Sequence, residues 1–190
     1  EHNELEGAKV VAIVADGERV TKAAAGDEVE VLLDRTPFYA EMGGQVGDTG
    51  IIASAGAKLE VTDTKGHNGL YAHVAKVVEG ELSEGDAVTA TIDAHRRELI
   101  RRNHTATHLL DAALRAVLGD HVNQAGSLVD DGRLRFDFTH FEALTAEQLH
   151  EVEDLVNVEI FSAKPVVTKV CGIDEAKAAG AVALFGEKYG

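Results

Sequence analysis

Tryptophan is absent from this sequence, and cysteine and methionine occur once each, at Cys171 and Met42. A single thiol closes no internal disulfide, and such sparing use of cysteine fits a reducing compartment. Aromatic residues are scarce, with six Phe and three Tyr. Stacking on single-stranded bases draws on such rings, so a protein working mainly as a stacking platform is excluded. No apolar run approaches the roughly 18 residues that would span a bilayer, and the first residues lack the basic-then-apolar layout of a signal peptide. A soluble, cytosolic protein is the expectation. The sequence opens on Glu1 and not on Met, so a piece of a longer chain is expected as well.

What is present is ordinary for a globular protein: 190 residues, 45% hydrophobic and 27% charged. That length allows one domain or two small ones and a real core. Eighteen basic against 33 acidic residues give a net charge of −15, which repels polyanions at long range and argues against non-specific nucleic-acid binding. The imbalance is concentrated in residues 1–94, with 7 Lys and Arg against 18 Asp and Glu, while residues 95–190 hold 11 against 15. Within that second part Arg96, Arg97, Arg101 and Arg102 form the one concentrated basic patch. It reads either as an exposed helix start or as a phosphate contact.

Two architectures follow one another. Up to about residue 94, short alternating runs such as 8–14 and 28–33 are separated by turn signals such as Asp16-Gly17. Further strands are expected near 46–53, 57–64, 69–78 and 87–93. Strands of this spacing predict a small antiparallel barrel or sandwich. From Ala94 the period turns helical through Leu118 and stops at Gly119. A strand pair, 124–129 and 134–138, is joined by Asp130-Asp131-Gly132. A second helix runs from Thr145 to about Ser162, with Thr145 and Gln148 set as a capping box. After Pro165 a strand over 166–170 and a short helix opening at Asp174 complete an α+β second part. There is no internal repeat and no low-complexity segment. The domains expected are a barrel over 1–94 and an α/β core over 95–190.

The first helix carries the chemistry. Ala106, Leu109, Leu110, Ala113, Leu114 and Val117 fall on one face at helical spacing, which predicts core. His104, Thr107, His108, Asp111 and Arg115 fall on the opposite face. Two imidazoles at i and i+4 project in parallel, the spacing that lets a helix place two nitrogens on one metal ion. A plain polar stripe facing water has the same pattern. Thr105, Ala106 and Thr107 lie between the histidines, so the glutamate base of a zincin is missing. Zinc takes three or four protein ligands, and this helix offers two. Cys171, His95, His121 and His140 are further candidates without an identifying spacing. Cys171 follows an expected apolar strand and reads as a buried, inert thiol.

Two other segments stand out. The run from Thr36 to Gly50 packs Gly43, Gly44 and Gly47 around Gln45, either a tight turn between strands or a loop whose backbone approaches a ligand. In Gln124-Ala125-Gly126-Ser127, amide and hydroxyl groups on a strand can orient a substrate.

Together the run Arg102-Asn103-His104-Thr105-Ala106-Thr107-His108-Leu109-Leu110, the loop from Pro37 to Gln45, the segments Gln124 to Ser127 and Arg133 to Phe138, and the ending Ala183 to Gly190 resemble the editing region of alanyl-tRNA synthetases. The likeness is collinear over nearly the whole chain. It implies a β-barrel leading into an α/β editing core, shared with threonyl-tRNA synthetases and free-standing editing proteins, that hydrolyses mischarged Ser-tRNA(Ala) or Gly-tRNA(Ala). It further implies tRNA(Ala) and the remainder of the parent synthetase as partners, and zinc as cofactor. In that family zinc is held by His-x-x-x-His, matched by His104 and His108, and by a later Cys-x-x-x-His expected beyond Gly190. Cys171 precedes that point and has no histidine four residues on, so it is not assigned this role. Thr107 and Gln124 match residues used near the amino acid, and Gly44 and Gln45 would approach from the barrel loop. A weak tRNA contact is expected at Arg96, Arg97, Arg101 and Arg102.

Two other classes make different predictions. A non-catalytic tRNA-positioning or structural fragment would bind no metal, and an independent zinc hydrolase of small molecules would act without tRNA.

Overall fold

The computed structural model describes residues 2–167 and 169–180. The expected Ala183 to Gly190 motif lies outside the described residues. In chain order the strands of the first part are β1 (Glu4–Ala15), β2 (Glu18–Val20), β3 (Lys22–Ala24), β4 (Glu28–Leu33), β5 (Gly50–Ala53), β6 (Ala57–His67), β7 (Leu70–Ser83) and β8 (Ala87–Ile92). Six of them close a barrel in the order β1-β4-β7-β6-β5-β8, with β8 returning to β1; β2 adds to β1 and β3 to β7. Every one of these pairings is antiparallel.

The alternation of side chains explains the closure. In β6, Ala57, Leu59 and Val61 are buried while Lys58, Glu60 and Thr62 face out. In β4, Val29 and Val31 point inward between Glu28 and Glu30. These residues join Ala8, Val10, Ile13, Ile52, Ala75, Val77, Leu82, Val88, Ala90 and Ile92 in one apolar core. Register shifts in β1, between Leu5 and Ala8 and again between Val10 and Ala12, bend the strand. Its first half can then pair with β8 and its second half with β4. The short strands β2 and β3 were not expected, since three residues are too few to carry a period. The strand expected over 46–53 starts only at Gly50, because Val46 instead donates its N–H to Val129 O (3.1 Å).

Helix α1 (Ala94–Leu118) has the expected bounds. Asp93 caps it: its Oδ1 accepts from the Arg96 N–H (2.9 Å) and its carbonyl from Arg97 (3.0 Å). At the other end Gly119, at φ 109°, donates to Arg115 O (2.9 Å), a backbone conformation that ends the helix. Strands β9 (Gln124–Val129) and β10 (Leu134–Phe138) pair across a turn in which Asp130 Oδ1 accepts from Gly132 N (2.7 Å) and Arg133 N (2.8 Å). Helix α2 (Ala146–Phe161) starts on the expected capping box, Gln148 N to Thr145 Oγ1 (3.2 Å) and Thr145 N to Gln148 Oε1 (2.9 Å). Helix α3 spans Ile173–Ala178.

One element is corrected. The strand expected over 166–170 does not form: Val166, Val167, Lys169 and Val170 lie in irregular chain. The three valines are 79%, 82% and 96% exposed, so their β-propensity finds no described partner strand. The described residues divide into two compact units, one of residues 2–108 with 126–136, the other of residues 109–125 with 137–167 and 169–180. No helix among the described residues is long and apolar enough to cross a membrane.

Candidate functional site

Among the described residues the buried polar side chains are Gln45, Asp48, Thr64, His73 and Thr107. All five lie in the first unit, and each belongs to the Thr36 to Asp48 loop, to its supports or to α1. Burying polar groups is costly unless they are paired, so their hydrogen bonds define what this region is built to hold.

Two anchors fix the ends of the loop. At its start His73 is fully buried; its Nδ1–H donates to Val31 O (2.7 Å), and its Nε2 accepts from the Thr36 hydroxyl (2.8 Å). Thr36 Oγ1 in turn accepts from the Phe38 N–H (3.1 Å). Burial pushes the His73 pKa below its ordinary value, outweighing the opposing effect of the Val31 bond, so the ring is neutral. At the other end Asp48 takes the Tyr39 N–H on Oδ2 (2.7 Å) and the Arg97 guanidinium on both oxygens, with Nε to Oδ1 at 2.8 Å. Thr64 Oγ1 donates to the Asp48 carbonyl (2.9 Å). This forked pair ties the loop to the first turns of α1.

Between the anchors the chain reverses at Met42-Gly43-Gly44-Gln45. Met42 and Gln45 exchange N–H to O bonds (3.2 and 3.1 Å), with Gly43 and Gly44 at φ 60° and 84°. A Cβ on Gly44 would sit 2.4 Å from Ser127 Oγ, so a side chain there is excluded by the strand running past. The close approach expected of this glycine is therefore made to β9: Val129 N donates to Gly44 O (2.8 Å), and Ser127 Oγ to Gly43 O (3.3 Å).

The turn delivers Gln45 to the helix. Gln45 is 8% exposed, and its Oε1 accepts the His104 Nδ1–H at 2.6 Å. That bond assigns the proton to Nδ1 and leaves the Nε2 lone pair free. His108 lies one turn on, its ring 5.2 Å from that of His104 and tilted by only 20°. Loss of water around the His104 ring, and secondly the neighbouring His108, push the His104 pKa below its ordinary value, so it offers a lone pair and not a charge. Thr107 sits between these histidines in sequence but is 6% exposed, unlike the solvent-facing stripe its spacing predicts. Its hydroxyl donates to Asn103 O (2.8 Å), while Asn103 Nδ2 donates to Asp130 O (2.7 Å) and Asp131 O (3.3 Å). The Thr107 oxygen is left as an acceptor.

The basic patch divides by function. Arg97 serves Asp48, and Arg96 donates to Gly47 O (2.9 Å) and Asp131 Oδ1 (3.1 Å), so both brace the loop and the hairpin. Arg101 pairs with Glu98 (2.8 Å) on the exposed side, where Arg102 also lies. Gln124 belongs to the second unit, half-buried at the head of β9. Its neighbour Asn123 is clasped to Thr139 by Asn123 N to Thr139 Oγ1 (3.1 Å) and Thr139 N to Asn123 O (3.0 Å).

The other metal candidates take other roles. His121 Nε2 and His140 Nδ1 share a hydrogen bond (2.9 Å), with the Phe141 ring 4.8 Å from that of His121. Cys171 is a half-exposed free thiol preceding α3, in place of the buried thiol expected. His95 is exposed in the first turn of α1. Zinc fits His104 and His108 as a partial donor set: both are imidazoles on one face, and one has its tautomer fixed. Among the described residues no group of three or more His, Cys, Asp or Glu completes it.

Sequence reading missed Asp48, His73 and Asn103. Each acts through a partner distant along the chain, with only the Asp48 neighbours Gly47 and Thr49 marking a loop. The Thr36 to Met42 part of the loop also lines a cavity of about 490 Å³ with Tyr71 and Arg97.

Comparison with known proteins bears on what this arrangement serves. The profile of the family described as tRNA synthetases class II (A) matches residues 1–96. Alanine–tRNA ligase of Acetivibrio thermocellus is 56% identical over 184 residues, which is 96% of this chain and 21% of that protein. Alanine–tRNA ligase of Pseudomonas syringae pv. tomato is 53% identical over 183 residues, again 96% of this chain and 21% of that protein. The chain belongs to the class II (A) tRNA synthetases and, within that class, to the alanyl-tRNA synthetase family. It spans about a fifth of the length of the curated relatives it matches.

Proposed function

We propose that this chain is the editing segment of an alanyl-tRNA synthetase and that it hydrolyses the ester of Ser-tRNA(Ala) or Gly-tRNA(Ala). The observation that carries this reading is the half-buried Gln45–His104 bond at 2.6 Å, made by a buried amide to an imidazole that stays open to solvent on its other side. A protein that merely packed a helix against a barrel has no need of a buried amide holding one histidine tautomer beside a second, parallel imidazole. His104 and His108 would hold zinc through that face, with further ligands from outside the described residues. When bound, zinc polarises an ester carbonyl or lowers the pKa of a water molecule.

The chain's own residues supply selection. The Thr107 proton is committed to Asn103 O, so its oxygen accepts from a donor such as the serine hydroxyl. Alanine presents a methyl group there and offers no proton, which separates it from serine; this contact does not act on glycine. Gln124, with a carbonyl and two N–H groups, orients the amino acid or the attacking water. The partners are tRNA(Ala) and the rest of the synthetase. Arg101 and Arg102, on the exposed side of α1, touch phosphate locally, since a net charge of −15 gives no long-range attraction.

The test uses the complete synthetase. Thr107→Val and Gln124→Ala are each expected to slow Ser-tRNA(Ala) hydrolysis by roughly 10- to 200-fold, the equivalent of one hydrogen bond to the reacting group, with alanine charging unchanged. Unaltered serine clearance in both variants would remove the assignment.

A further inference from the structure

We infer that Gln45 is a positioning residue for the metal ligand His104, acting through the ring proton. This rests on the reading that His104 and His108 hold zinc. The family resemblance placed Gln45 beside the reacting groups, but the geometry gives it another task. Its side-chain carbonyl is already occupied by the His104 Nδ1–H at 2.6 Å. Its backbone is pinned on both sides, by the paired bonds to Met42 and by the Val46 to Val129 bond (3.1 Å). Only 8% of its surface is exposed, so the residue is held in place with its carbonyl on the His104 ring.

The consequence follows from imidazole chemistry. A neutral imidazole carries one proton, and a metal binds the nitrogen that lacks it. Without an acceptor at Nδ1 the proton divides between the two nitrogens, and the hydrogen bond that selects one ring orientation is lost. Gln45 keeps the proton on Nδ1 and leaves Nε2, on a ring nearly parallel to that of His108, as the nitrogen that would bind an ion. Such outer partners of ligating histidines affect metal affinity by about 10- to 100-fold. The device extends outward: the Asp48–Arg97 pair and the His73–Thr36 bond fix the two ends of the loop that carries Gln45. The barrel thereby contributes to the metal site a hydrogen-bond acceptor and not a ligand.

The test is zinc affinity, measured on the complete synthetase by chelator competition with zinc as the only added metal and with thermal melting as the control for folding. Gln45→Leu, which lacks the acceptor, is expected to weaken zinc binding by about 10- to 100-fold. Gln45→Glu, whose carboxylate accepts the same Nδ1–H, is expected to restore it close to the unsubstituted level. If Gln45→Leu melts lower than the unsubstituted enzyme, Gln45→Met, unbranched and nearer in length, is judged by the same criterion. Zinc held as tightly by the leucine or methionine variant as by the unsubstituted enzyme would overturn the inference while leaving the metal reading intact. An unsubstituted enzyme that retains no zinc would overturn the metal reading itself, and the inference with it.

Discussion

His73 spends both ring nitrogens inside the barrel, one donating to Val31 O and the other accepting from Thr36, and this makes it a proton-sensitive support for the loop. Replacing it by leucine removes the ring's bonds to the Val31 carbonyl and to the half-buried Thr36 hydroxyl, which costs about 1 to 3 kcal/mol. His73→Leu is accordingly expected to lose that much stability at about pH 8, where the unsubstituted ring is neutral both folded and unfolded. Its folded pKa is depressed below the ordinary 6.5 by burial. As the pH falls through that value the unfolded chain takes up a proton that the folded chain does not, and the contribution of His73 is lost. Urea melts over this range should therefore show the gap between the two proteins narrowing toward acid. A gap that stays constant would mean that His73 is not held neutral by burial. At the same scale, Thr107 was misjudged from its spacing. Helical position placed it on a polar stripe, whereas its short side chain is covered and its hydroxyl is turned back to Asn103.

At the scale of elements, the feature that organises the site is the joint between loop and helix. Asp48 and Arg97 are 49 residues apart in sequence, and their side chains are 3% and 12% exposed. Removing one partner of a buried pair costs about 3 to 5 kcal/mol. Asp48→Ala should show that loss in a denaturant melt; on the proposed reading of His104 and His108 as zinc ligands it also weakens zinc binding, because the Gln45 turn is released. A change of less than 1 kcal/mol, about what an exposed pair is worth, would place the pair among surface bridges and remove the brace.

The limits of the sequence can be seen in these same elements. Helix α1, the β9–β10 pair and the α2 capping box were legible because each is marked locally, by period, by Gly119 or by Thr145 and Gln148. The imidazole pair was legible for the same reason. The Asp48–Arg97 pair, the His73–Thr36 bond and the place of Gly44 against Ser127 were not, because each depends on barrel closure bringing distant residues together. The strand expected over 166–170 erred in the opposite direction. Valines there carry β-propensity, yet a strand needs a partner and none is described.

For the molecule as a whole, an overall charge of −15, with Arg96 and Arg97 committed to bonds within the fold, gives no long-range attraction for nucleic acid, so the tRNA contact proposed above is a local one. That suits a site reached by a substrate already delivered by the rest of a synthetase. Under the proposed function, editing and alanine charging by the complete enzyme can be separated by changes confined to this segment. The direct measurement is Ser-tRNA(Ala) hydrolysis and alanine charging by the complete synthetase carrying His104→Ala and His108→Ala together. Hydrolysis reduced to the level without enzyme, with alanine charging at the unsubstituted rate, is the expected result. Serine cleared at the unsubstituted rate would contradict the editing role of this chain.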